Sequence, residues 1–373
     1  MSEGRSVIVI GGGVAGMAAA VRLAEHGTRV TLLETRKRLG GRATSHLDPQ
    51  TRKEIDNCQH VVLGCCTNIL DLYERLGAST AIQWHNEMYF ADKQGRAWTF
   101  ADDPLPAPLH LTRALLGYKG LSLSDRLNVV RAMNAMLRAR RGEYESVTFA
   151  EFLNRCRASR AAIDRFWNPI VRGACNLPID RVSAASAMQV FQQGFMAHPA
   201  GWRMGVAQMP LHHLYRRVPT LIEAAGGKVL HGIGIESLRF SGGRVTGVRA
   251  KSGETFEANA VISALPQDRL AKITPPELVN TDSRLGLPDK IQASPIIGMH
   301  LWLDRPVLDR SHLFFVDGRI DWLFAAPGDG GEGQHLHTGI SAAQDYVAWS
   351  SDDLLAMAME ELRAYAAALP AAA

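Results

Sequence analysis

Cysteine is scarce and unpatterned. The five residues Cys58, Cys65, Cys66, Cys156 and Cys175 are odd in number and form no Cys-x-x-Cys pair. This excludes a disulfide framework and points to reduced thiols in a cytoplasmic protein. No run is apolar and uncharged for long enough to span a bilayer. Charge of one sign is not in excess either: 41 Lys and Arg face 37 Asp and Glu, a net charge of +4. With no motif that interleaves aromatic and basic residues, nucleic acid is not an expected partner. A weak attraction to anionic lipid is compatible with this balance. No metal is expected. The first residues run straight into an apolar strand, so no cleavable leader is expected. What the chain does have is length and apolar content. Its 373 residues are 46% hydrophobic, enough for two domains with a large core.

The chain is organised around its first 34 residues. Val7 to Ile10 is a wholly apolar, β-branched run, as expected of a strand buried on both faces. Gly11, Gly13 and Gly16 follow in G-x-G-x-x-G order. Val14 to His26 favours helix, and Gly27 stops it. Arg29 to Leu33 predicts a second strand with Glu34 at its end. This is the βαβ dinucleotide fingerprint, with its acid about 20 positions after the turn. Gly11 permits the tight turn, Gly13 lets the backbone approach a pyrophosphate, and Gly16 lets the helix pack closely. The pyrophosphate would rest on the free N–H groups at Val14 and Ala15, at the positive end of the helix. Glu34 would accept hydrogen bonds from a ribose. The alternative is a doubly wound fold whose crevice holds nothing.

The next residues choose the dinucleotide. Arg36-Lys-Arg-Leu-Gly-Gly-Arg42 follows at once, where an NAD domain would continue with a helix and a third strand. The pair Gly40 and Gly41 lets backbone pass close to a second part of the ligand, and Arg36 and Arg42 can meet phosphate charge. Lys37 reads as solvated. The pattern resembles the flavoprotein family of amine oxidases, carotenoid desaturases and protoporphyrinogen oxidases, in which FAD fills the fold. The stretch Asp56-Asn-Cys-Gln-His-Val-Val-Leu-Gly-Cys-Cys through Gly77 is similar to a signature of its squalene-associated branch, the hydroxysqualene dehydroxylases. Two further stretches carry the same likeness. One is Arg165 to Ile170. The other runs from Ala187 through Trp202 to Tyr215.

The resemblance implies an α/β architecture, a Rossmann-like doubly wound FAD-binding domain with an inserted α+β substrate domain of helices plus antiparallel sheet. Residues 1–80 and 205–270 are expected to form the first, and 81–204 and 271–373 the second. Ile235 matches the position whose backbone contacts the adenine, and Gln59 lies in the segment expected along the flavin. Residues 82–204 read mainly as helices. Ser122 with Asp125, and Thr148 with Glu151, suggest capping boxes. Leu123, Leu127, Val130, Met133 and Leu137 follow at helical spacing. Asp103 to Leu121 is apolar, flecked with basic residues, and could lie on a membrane surface or pack as a lid. Leu211 to Ala225 predicts one helix. Strands are expected near 228–230, 235–240, 244–249 and 260–264. Further strands at 296–303, 313–316, 322–325 and 336–341 are expected to wall the substrate cavity. Asp352 to Leu369 predicts a closing helix. Members of the family it resembles carry a further segment whose helix end faces the flavin; the sequence stops at Pro370–Ala373 before it, and the expectation is either a fragment or a flavin site without this part.

The chemistry implied is reductive removal of a hydroxyl from hydroxysqualene, giving squalene. It requires an acid, exclusion of water, room for a long apolar isoprenoid and a reductant that the sequence does not name. Candidate acids are His60 and Asp56, in the polar group Asp56, Asn57, Gln59 and His60 that precedes a helix. The bland reading of that group is a capped turn of satisfied polar side chains. His198, Trp202 and Arg203 are candidates to line the cavity, against ordinary packing. Rivals are a carotenoid desaturase or amine oxidase on the same fold, an NAD(P) dehydrogenase, and a lipid-binding protein without flavin. A cytoplasmic location, peripheral on the inner face of the membrane, completes the expectation.

Overall fold

A computed structural model describes residues 5–286, 291–326 and 333–365. The chain divides into two compact units. The first comprises Met1–Asn57, Asn68–Ile82 and Ala207–Ala293; the second comprises Cys58–Thr67, Gln83–Val206 and Ser294–Ala373.

In the first unit, Ser6–Ile10 is the strand expected from its β-branched run, and Val14–Glu25 the helix, ended by Gly27 at φ +74°. Four parallel strands lie in the order Lys228–His231, Arg29–Glu34, Ser6–Ile10, Ala260–Ser263. Ser6–Ile10 is flanked on one side by the strand that follows its helix and on the other by a strand about 250 residues later. The order therefore reverses at this strand, and the loop at its C-terminal end opens onto the crevice where such folds bind ligands. A three-stranded antiparallel sheet adjoins in sequence: Ile235–Ser241, Arg244–Ala250 and Thr255–Glu257. Residues 271–293, expected in the substrate domain, belong to the first unit instead. The reason is apolar packing. Leu270, Ile273 and Leu278, on the short helices Gln267–Ile273 and Pro276–Thr281, pack in one cluster with Ile8, Ile10, Leu33, Leu238 and Val248. The single helix expected over 211–225 is a 3-10 turn, Leu211–Tyr215, followed by a helix, Val218–Ala224. Pro219 at the start of the second piece cannot donate to a continuing ladder.

The second unit holds a six-stranded sheet in the order Ile297–Leu303, Gln334–Ile340, Trp322–Ala325, His312–Phe315, Glu87–Ala91, Ala97–Ala101. All neighbours are antiparallel except His312–Phe315 beside Glu87–Ala91. The hairpin Glu87–Ala101 corrects the helical expectation for the start of this region. The rest of it is helical, with both capping boxes formed as hydrogen-bonded pairs at Ser122/Asp125 and Thr148/Glu151. The helix Leu123–Arg138 buries Val129, Ala132 and Met136. Its predicted stripe of larger residues faces outward except at Met133, which packs on the core: Leu123 is 64% and Leu127 62% exposed. Two of the stretches similar to the squalene-associated branch overlap π-helical turns, Ile163–Trp167 and Val190–Met196. The closing helix is Ser351–Ala364, capped by the Ser350 hydroxyl accepting from the Asp353 N–H. Its expected extension to Leu369, and the terminal Pro370–Ala373, lie outside the described residues. On this helix the buried Glu361 carboxylate takes hydrogen bonds from Lys93 Nζ (2.8 Å), the Arg319 N–H (2.8 Å) and Arg319 Nε (3.1 Å). These donors hold its carboxyl below the usual range against the opposing effect of burial.

Candidate functional site

In the first unit the glycines build a cradle. Gly11 turns at φ +100°, and its N–H donates to the Leu33 carbonyl at 2.8 Å. Gly13 then stands at the N-cap of the helix in extended conformation, with no side chain capping the helix and no acid in its first turn. The N–H groups at its start, among them those of Val14 and Ala15, are thus left without side-chain acceptors, at the positive end of a 12-residue helix. A Cβ on Gly16 would lie 1.9 Å from the Gly11 carbonyl oxygen, so that helix turn touches the loop backbone directly. A Cβ on Gly13 would meet only the Cα of Gly41, at 3.9 Å. Space is therefore open at Gly13 where it is closed at Gly16, as a backbone that must admit a pyrophosphate requires.

The second glycine pair joins the same place. The Gly40 N–H donates to the Gly12 carbonyl at 2.8 Å, and Gly13 and Gly40 form an isolated parallel bridge. Both Gly40 (φ +108°) and Gly41 (φ +62°) occupy the left-handed region. The Arg36 guanidinium donates to the Gly41 carbonyl at 3.1 Å. Arg42 is exposed beside it. Glu34, 6% exposed, carries more than an acceptor for a ribose. Its Oε2 accepts the Gly12 N–H at 2.7 Å and its Oε1 accepts the Arg36 N–H at 2.8 Å. Each oxygen retains a further lone pair for a hydroxyl donor. The segment before Ile235 is stitched to the same strand end: the Ile233 N–H donates to the Glu34 carbonyl at 3.0 Å. The uncapped helix start, the cradle and the buried acid fit a dinucleotide.

Asp56 sits in the first unit as a structural clamp. Its Oδ1 accepts from the Ser45 hydroxyl at 2.6 Å and from the Leu211 N–H at 3.0 Å, tying three segments together. This departs from the proton-donor role considered for it.

In the second unit, Cys58, Gln59 and His60 lie against the edge of the six-stranded sheet. A Cβ on Gly298 would come within 3.1 Å of the Cys58 sulfur. His60 is half-buried. Its Nδ1 lies 2.7 Å from the Cys58 carbonyl, and since a carbonyl only accepts, Nδ1 carries the proton and Nε2 is left for exchange. Gln59, expected at the cofactor, turns its amide oxygen to His337 Nδ1 at 3.1 Å. His337 lies beside His300 and His335, a group without a sequence expectation. Burial, with His300 and His335 close by, pushes the His337 imidazole down to about 3. The local signal was His335-x-His337, which puts both rings on one face of a strand. The partner His300 required the strand register.

Trp202 is fully buried in the core, against Phe100, which is the packing alternative of its two readings. His198 is exposed, its Nδ1 accepting from the Ala200 N–H, and Arg203 pairs with Asp102 at 3.2 Å. None of the five cysteines forms a disulfide. Burial, then the neighbouring Cys66, pushes the Cys65 thiol up to about 11. Among the described residues no helix is long and apolar enough to cross a membrane.

A family model for flavin containing amine oxidoreductases matches residues 14–372. The chain is similar to the 15-cis-phytoene desaturase of Synechococcus elongatus, 23% identical over 381 residues that cover 95% of this chain and 79% of that protein. Among solved structures it is similar to an oxidoreductase from Methanosarcina mazei, at a TM-score of 0.75 and 18% identity, covering 98% of this chain and 85% of that one. A triple variant of putrescine oxidase superposes with a TM-score of 0.72 at 16% identity, covering 98% and 83%. At such identities the structural likeness speaks for the fold.

Proposed function

The chain belongs to the family of flavin containing amine oxidoreductases, and from that premise we propose that it is an FAD-dependent reductive dehydroxylase of hydroxysqualene. FAD dependence and oxidoreductase chemistry come with the family. The substrate is our reading. The observation that carries it is the likeness of residues 56–77, 165–170 and 187–215 to the squalene-associated branch. The similarity to a phytoene desaturase supports the same class, since that relative's name also specifies a long isoprenoid. The same name supports a second reading, a carotenoid desaturase.

Bound FAD, once reduced by an external electron donor, would supply a hydride; the rest falls to the chain. Gly13, Val14 and Ala15 would face the pyrophosphate and Glu34 the ribose. Gly40, Gly41, Arg36 and Arg42 would border the second half of the cofactor, and Ile235 the adenine. His60, its Nδ1 proton fixed by the Cys58 carbonyl, would act in the doubly protonated imidazolium form, giving its Nε2 proton to the leaving hydroxyl, which departs as water. Incubation of the FAD-loaded protein with hydroxysqualene under anaerobic reducing conditions is expected to give squalene, read by mass spectrometry. Turnover of phytoene instead would select the desaturase reading, and oxidation of an amine would overturn both.

A substrate that dissolves in lipid calls for access from a lipid surface. The exposed Leu105, Leu109, Leu116, Leu123 and Leu127 lie in one stretch of the second unit, interleaved with the exposed Arg113, Lys119 and Arg131. Apolar side chains beside cations suit an anionic membrane surface. Inserting a leucine contributes roughly 1.5–3 kcal/mol when fully buried, so Leu123→Asp with Leu127→Asp is expected to weaken binding to anionic vesicles by about tenfold or more. Unchanged co-sedimentation with such vesicles would remove this part of the proposal.

A further inference from the structure

Three histidines converge on one face of the six-stranded sheet. His300 lies directly opposite His337 in the antiparallel pair Ile297–Leu303 and Gln334–Ile340, and Trp302 lies opposite His335. Residues two apart on a strand share a face, so these four side chains form one block. Each histidine offers a ring nitrogen, and the three nitrogens lie within 4.8 Å of one another. His300 Nδ1 and His335 Nε2 are 3.0 Å apart. Two nitrogen ligands of a tetrahedral zinc ion stand about 3.3 Å apart, from Zn–N bonds of roughly 2.0–2.1 Å.

The surroundings hold these rings as ligands are usually held. The Gln59 amide oxygen, 3.1 Å from His337 Nδ1, accepts its proton and leaves the lone pair on Nε2. A metal-bound imidazole ordinarily donates its other N–H to such an acceptor. The Trp302 indole stacks on His335 at 4.5 Å between centroids and 8° between planes, fixing that ring. His335 and His337 are buried, and His300 is half-buried.

We propose that His300, His335 and His337 form a site for a divalent transition-metal cation, with Gln59 orienting His337. Three neutral nitrogen donors select zinc and its neighbours over calcium or magnesium, which need oxygen ligands. Three protein ligands leave a fourth position for water or a substrate oxygen. This inference is independent of the substrate proposed above.

The test uses the FAD-loaded protein, dialysed against a chelator and titrated with zinc chloride by calorimetry. One equivalent is expected to bind. His335→Gln and His337→Gln, close in size to the native side chains, are each expected to weaken binding about 100-fold, and Gln59→Leu about 10–100-fold. The half-exposed group Glu54, His212 and His213 in the first unit is the natural competitor for added zinc. The double variant His212→Gln with His213→Gln should therefore keep the bound equivalent. Circular dichroism and flavin absorbance report whether each variant is folded. No binding by the native protein overturns the proposal. So does unchanged affinity in folded His335→Gln and His337→Gln, or loss of the equivalent in the His212/His213 variant.

Discussion

Gly16→Ala is expected to destabilise the protein severely, whereas Gly13→Ala leaves it folded with a weakened grip on flavin. The two residues are one helical turn apart, and the contrast follows from what a methyl group would meet. At position 16 it would lie 1.9 Å from the Gly11 carbonyl oxygen, 3.1 Å from the Gly11 carbonyl carbon and 3.2 Å from the Ala264 Cβ. None of these is the end of a flexible side chain. Relief demands movement of the loop or the helix, both fastened to the parallel sheet. Overpacking costs about 1–3 kcal/mol when side chains can adjust, and backbone contact puts this case at the upper end or above. At position 13 the added methyl finds only the Gly41 Cα at 3.9 Å, and the backbone there has φ −72°, open to any residue. Stability should stay within about 0.5 kcal/mol of native. The methyl nevertheless fills the space that a pyrophosphate must enter, and FAD affinity should fall at least tenfold, about 1.4 kcal/mol. Thermal melts are to be compared without FAD, because a bound ligand raises stability by itself. Fluorescence titration then reads the affinity. A Gly16→Ala protein that melts like the native chain would deny the close contact. A Gly13→Ala protein that binds FAD normally would mean that the pyrophosphate lies elsewhere.

The elements around this cradle were legible because each is encoded locally. The β-branched run of Val7–Ile10, the three glycines, the stop at Gly27 and the acid at Glu34 follow in register within 34 residues. Elsewhere the deciding contacts are distant. Ala97-Trp-Thr-Phe-Ala101 alternates large and small side chains and follows a turn at Gly95, so its strand pattern is present in the sequence. The sheet that stabilises it, however, pairs its hairpin partner Glu87–Ala91 with His312–Phe315, more than 200 residues away. The helix Leu123–Arg138 shows a different ambiguity. It carries two apolar stripes of helical period, and periodicity does not say which one is buried. The stripe of Val129, Ala132 and Met136 is buried, and the larger leucines are left outside. The histidine cluster shows a third. His335 and His337 share a face by local spacing alone, but His300 joins them only through register.

Glu34→Ala is expected to lower the stability of the flavin-free protein as well as its affinity for FAD. An acid that served only the ribose would be silent until the cofactor arrived. Here its two oxygens already accept the N–H groups of Gly12 and Arg36, on either side of the strand end. Alanine would leave the buried Gly12 N–H without an acceptor, at about 1–3 kcal/mol, and would free the part-buried Arg36 N–H at a smaller cost, since water can reach it. Gln is expected to fall between, since its one oxygen can serve one of the two donors while its amide nitrogen faces the other. The apo melting temperatures should therefore run native, Glu34→Gln, Glu34→Ala, in descending order. Equal apo melting temperatures for all three would reduce Glu34 to a ribose acceptor. The ordered result would mean more than a damaged strand end. Arg36, held by Glu34 through its backbone, donates through its side chain to the Gly41 carbonyl, while Gly40 donates to Gly12. Both glycine-rich turns thus hang on one carboxylate, so the order of the cradle before FAD arrives and the grip on FAD afterwards should be lost together.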